Sequence, residues 1–155
     1  MKTKAILISL FLLTSIHSFS QKFYLGDQLS PKSSEFKLLG ISSLTGVSTY
    51  HYTGAITDKY FFNRRIGDVI VGLKNGIIVS TIYNLIPESG DIGVPKSTLD
   101  LVQSGLSFPL AHVGDMYGVN IDNVSYSLSR TSNVLTFNKD RIMFITTVKN
   151  SLLRQ

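Results

Sequence analysis

The chain contains no cysteine and no tryptophan. Without thiols there is no disulfide staple, no thiolate metal site, no cysteine nucleophile and no residue to carry a lipid anchor, so stability must come from a packed core. Charge is sparse as well: 16% of the 155 residues are charged, with 15 basic against 10 acidic side chains. Histidine is limited to three residues. Outside the N-terminus no apolar run approaches the roughly 20 residues of a membrane-spanning helix.

The first 21 residues, MKTKAILISLFLLTSIHSFSQ, have the layout of a secretory signal. Lys2 and Lys4 form the positive end, residues 5–13 an apolar run too short to span a bilayer, and Ser18 and Ser20 the small side chains required near a cleavage site. The pattern predicts cleavage between Ser20 and Gln21, and the junction reads as bacterial. The expectation is an exported protein, periplasmic or secreted, of 155 − 20 = 135 residues with no membrane span after signal removal. Loss of Lys2 and Lys4 leaves 13 basic against 10 acidic residues, a net charge of +3. That balance is too mild to hold nucleic acid by counterion release.

Two phrases echo each other, GDQLSPKS at 26–33 and GDIGVPKS at 90–97, in one register: 91 − 27 for the aspartates and 95 − 31 for the prolines are both 64. The same shift carries Gly54 onto Gly118 and Asp58 onto Asp122. A self-match of fixed period reports repeated structure, and the chain divides into a signal (1–20), a first repeat (21–86) and a second (87–155). In each copy the phrase opens a candidate helix. Ser30 is placed to cap the first, with Pro31 at its start and Gly40 as its stop. The second has Pro95 at its start, Leu99, Val102 and Leu106 on one face, and Gly105 near its end. Phe36, Leu38 and Gly40 also alternate in a way that suits a strand.

Strand signals follow each phrase. VIVGLKNGIIVSTIYNL folds back at Asn75-Gly76, the pair favoured in two-residue hairpins because both residues accept positive φ. NVLTFNKDRIMFITTV is its counterpart, with 134–138 and 142–148 flanking Lys139-Asp140. VSTYHYT, KYFFNRR, MYGVNID and SYSLSR supply further strands. The predicted fold is α+β, two tandem repeats of a helix plus an antiparallel meander. The alternative is a mostly-β sandwich or barrel with one helix.

A short helix ending in Leu38-Leu39-Gly40, followed by a turn-rich meander and written twice in an exported chain, resembles the tandem repeats of the β-lactamase inhibitor proteins. The single unit is similar to the small outer-membrane assembly lipoproteins of the SmpA/OmlA type. The resemblance covers residues 26–148 and implies a protein-binding sheet without catalysis. The chain departs from both families: it has neither the lipid-bearing cysteine of the one nor the disulfides of the other.

His51 and His112, the histidines that survive cleavage, have no second ligand at metal-binding spacing, and no cofactor motif, nucleophile elbow or phosphate-cradling loop is present. Asp27, Asp58, Asp68, Asp91, Asp115, Asp122 and Asp140 sit where turns use aspartate. The segment DKYFFNRR carries recognition chemistry. As a continuous strand it places Tyr60, Phe62 and Arg64 on one face, with Tyr50 and Tyr52 extending the surface from a neighbouring strand, and aromatics with arginine are typical interface anchors. The competing reading puts an aromatic row in the core and the basic ends in solvent. The expected function is non-catalytic: a protein-binding or inhibitory module, without cofactor or metal, that meets an envelope or extracellular protein through its sheet. A carboxylate-dependent hydrolase and a structural envelope component are the alternatives.

Overall fold

Alternating apolar and polar residues in this chain build ladders across one broad sheet. The computed structural model describes residues 23–56, 60–88, 93–131 and 141–148. Its strands are β1 (Phe36–Ile41), β2 (Ser48–Tyr52), β3 (Tyr60–Phe61), β4 (Arg64–Lys74), β5 (Ile77–Leu85), β6 (Ala111–Val113), β7 (Met116–Ile121), β8 (Val124–Thr131) and β9 (Arg141–Val148). One helix, α1 (Lys96–Leu106), lies between β5 and β6. All pairings are antiparallel, in the order β1-β2-β4-β5-β9-β8-β7-β6, with the two-residue β3 added to the start of β4. Among the described residues no helix is long and apolar enough to cross a membrane.

Register explains which face became the core. Phe36, Tyr52, Val69, Tyr83, Phe144, Leu128, Tyr117 and His112 are successive ladder partners across eight strands. Phe36, Tyr52, Val69, Tyr83 and Leu128 in this row are buried in one cluster with Val71, Leu73, Leu85 and Val102. One residue further along, the row on the opposite face reads Lys37, His51, Ile70, Ile82, Ile145, Ser127, Gly118 and Ala111. A period of two separates the rows, so a single slip of register would exchange them.

The core face is covered by α1 and by the segment preceding β1. Phe23 packs edge-on against Tyr52 and Phe36, with ring centroids 5.1 and 5.9 Å away. Its carbonyl accepts a hydrogen bond from the Thr81 hydroxyl. Helix α1 presents Val102 and Thr98, four apart and both fully buried. The Thr98 hydroxyl has no hydrogen-bond partner among the described residues. A buried, unsatisfied hydroxyl costs more than it returns, and valine matches threonine in shape and helix propensity. Thr98→Val is therefore expected to raise the unfolding free energy by about 1 kcal/mol, read as a higher urea midpoint at unchanged slope.

The expected pair of helix-plus-meander repeats is overturned. Pro95 caps α1, but Pro31 leads into a turn and then β1, so the shared phrase opens unlike elements. Lys32 accepts from the amides of Glu35 and Phe36, which amounts to one turn that goes no further. After it, Phe36 and Leu38 take ladder positions opposite Tyr52 and Tyr50. The second phrase is followed by an apolar stripe at helical spacing, and the first is not. Among the described residues the mostly-β arrangement with one helix, the alternative, is what forms. Ser30 accordingly caps no helix, and α1 continues through Gly105 to end at Ser107 in the left-handed conformation.

The hairpin at Asn75-Gly76 forms as expected, with φ of 52° and 77° and Lys74 opposite Ile77. Of its expected counterpart, residues 142–148 lie in β9, which pairs with β8 on one side and β5 on the other; the other arm was expected at 134–138. Those residues, Lys139-Asp140, and the Ser20–Gln21 junction lie outside the described residues.

Candidate functional site

The aromatic-basic segment does not form one straight strand. Tyr60 and Phe61 pair with Arg65 and Arg64 across a two-residue turn, and Phe62 and Asn63 at its tip both have positive φ, 47° and 55°. Such a turn is favoured in hairpins because its twist matches the strands. It also ends the simple alternation expected of Tyr60, Phe62 and Arg64. Left-handed backbone is costly for phenylalanine; burial of the Phe62 ring, edge-on to Phe61 at 4.5 Å, offsets it.

Three of the five expected contact residues are interior. Tyr52, Phe62 and Arg64 are 4%, 6% and 4% exposed, whereas Tyr60 is 66% exposed and Tyr50 half-buried. The Tyr52 hydroxyl donates to the Ala55 carbonyl. The Arg64 guanidinium meets Glu88 at 3.0 Å and donates to the Ser97 hydroxyl at 2.8 Å. It therefore ties β4 to the segment after β5 and to the first turn of α1. A fork of donors suits that three-way junction, which is structural in character.

Described carboxylates with a resolved side-chain partner meet a cation or an amide. Glu88 pairs with Arg64, Asp100 with Lys96, and Asp68 accepts from the Asn84 amide at 2.6 Å. Among the described residues no group of three or more potential metal ligands comes together. His112 lies exposed on β6, tilted over the Tyr117 ring, while His51 takes the row opposite the core. On β8, burial and then the nearby Asp122 carboxylate raise the Tyr126 phenol above its ordinary 10. That phenol stays protonated at neutral pH.

The surface with recognition character lies at the first edge of the sheet. Leu38 stands opposite Tyr50 and Ile41 opposite Ser48, on the same side as the core, because a bulge between Leu38 and Gly40 restores the alternation. Leu38 is 50% exposed, Ile41 64% and Leu44 93%. Leu44 belongs to an ordered turn. The Gly46 amide donates to the Ser42 carbonyl, the Ser42 amide to the Val47 carbonyl, and the Thr45 amide to the Ser42 hydroxyl. The apolar side of the sheet thus runs outward from Phe36 through Tyr50, whose rings meet at 87°, to three aliphatic side chains in water. Of the residues expected from sequence, Tyr50 belongs here; Leu38 carried a strand signal, and Ile41 and Leu44 carried none. Comparisons with protein-family models, with curated proteins and with solved structures find no match to this chain.

Proposed function

We propose that this protein is an exported, non-catalytic binding module that engages another protein through the β1 edge of its sheet. One observation carries the reading: Leu38, Ile41 and Leu44 are held in solvent by a bulge and a hydrogen-bonded turn. Full burial of such a side chain contributes about 1.5–3 kcal/mol, so three together supply the apolar centre of an interface with Tyr50 at its border.

A photo-crosslinking residue at position 41, with position 123 as control, tests this in the native host. The expected result is an adduct with a distinct protein at 41 only. That adduct should disappear in Leu38→Ser/Leu44→Ser, while the melting temperature of this double variant changes little. An adduct formed only with a second copy of the chain, or equal labelling at 41 and 123, would overturn the proposal.

A further inference from the structure

A second feature, independent of the β1 surface, lies where the β3–β4 hairpin meets α1. The Arg64 guanidinium donates to the Ser97 hydroxyl at 2.8 Å, which ties β4 to the first turn of the helix. Leu101, Ser104 and Gly105 follow Ser97 by four, seven and eight residues, so they share its face of α1 one to two turns further on. Opposite them stand Phe62 and Asn63 at the hairpin tip, and a cavity of about 160 Å³ lies between the two elements, lined by these five residues. Both walls are fixed. The Phe62 ring is 6% exposed and packs on Phe61, which stacks on Tyr83, and the helix is buried through Thr98 and Val102.

The lining is apolar inside and polar at the mouth. Phe62 is buried and Leu101 half-buried, whereas Asn63, Ser104 and Gly105 are exposed. Gly105 brings no side chain, so the helix leaves room at that point at a cost in helix propensity. An apolar cavity of about 150 Å³ accepts benzene, so the space takes one six-membered ring. Such a ring beside Phe62 gains the offset or edge-on contact that aromatic pairs favour. At the mouth, the Asn63 amide and the Ser104 hydroxyl each both donate and accept. A neutral hydroxyl does the same and is their complement, whereas a carboxylate or an ammonium uses only half of what they offer.

We infer that this cavity binds a small phenol, with the ring between Phe62 and Leu101 and the hydroxyl at Asn63 and Ser104. Burial of the ring supplies most of the affinity, and the hydroxyl separates a phenol from a bare ring. Because the hydroxyl lies at the mouth, a bulky group para to it would have to enter the closed end. That excludes a tyrosine side chain and leaves a free phenol. A mere packing gap between hairpin and helix would bind no ring saturably.

The test titrates phenol, benzene, benzoate and N-acetyl-L-tyrosinamide separately into the folded protein, followed by amide resonances. Saturable shifts at Asn63, Ser104 and Gly105 are expected with phenol, and with benzene at roughly fivefold lower affinity for want of the hydroxyl bond. Benzoate and the tyrosine derivative are expected to bind more weakly still. Asn63→Gly keeps the left-handed turn, since glycine accepts positive φ without strain, and should weaken phenol roughly fivefold while leaving benzene unchanged. Should that variant fail to fold, Ser104→Leu keeps the test open: it fills the cavity from an exposed position that suits a helix former, and should abolish binding of both rings with the fold retained. No saturable shift with phenol, binding of any of the other three as tightly as phenol, or undiminished phenol binding in a folded Asn63→Gly or Ser104→Leu protein would overturn the inference.

Discussion

Leu85→Ala is expected to lower the unfolding free energy by about 3 kcal/mol, while Leu44→Ala leaves it nearly unchanged. Leu85 is fully buried at the end of β5, a strand paired on both sides, with Ile66 and Ile142 as its ladder partners. Alanine there loses the transfer free energy of the missing carbons and leaves a cavity. Neighbouring groups have little freedom to fill it: Phe61 stacks on Tyr83 at 4.4 Å and 14°, and Phe61, Tyr83 and Val102 belong to the same packed cluster. In a domain of this size the loss amounts to a melting temperature lower by roughly 10 °C. Leu44, at 93% exposure, has almost no burial to lose. Equal effects at the two positions, measured by urea titration, would contradict the described core.

Gly54→Ala is expected to cost about 2 kcal/mol for a single added methyl group. Its Cβ would lie 2.7 Å from Cε2 of Tyr52 and closer still to Cζ and the phenol oxygen. The ring has nowhere to go. It is 4% exposed, wedged between Phe23 and Phe36 at 5.1 and 5.2 Å, with its hydroxyl on the Ala55 carbonyl. Gly54 does not occupy the left-handed region, so the conflict is steric. The reduced freedom of the unfolded chain returns only about 0.4–1 kcal/mol. In a Tyr52→Leu background the added methyl should cost little, which gives a coupling energy of about 1 kcal/mol or more. Equal cost in both backgrounds would place the effect somewhere other than the ring.

Sequence legibility followed the range of the forces involved. The hairpin at Asn75-Gly76 and strands β2, β7 and β8 could be read because turn chemistry and alternation act over a few residues. The Pro31 segment could not, since one turn of backbone hydrogen bonds is compatible with helix or strand. Its outcome rests on Phe36 reaching Phe23 and Tyr52. The aromatic-basic segment failed for a related reason. Phe62 and Asn63 both take positive φ, which local preference disfavours for phenylalanine, and only the burial of that ring against Phe61 makes the turn acceptable. Arg64 then became interior because Ser97 and Glu88 meet it there.

By itself the sequence determined that the core is built without disulfides, that residues 69–85 form a tight hairpin, and that the segment after Pro95 carries a helical apolar stripe. The tertiary structure alone decided which aromatic residues are buried, that β5 and β9 join the two meanders, and that Leu38, Ile41 and Leu44 remain in water. Periodicity and turn preference are written into neighbouring residues, whereas burial depends on what the rest of the chain brings to the same place.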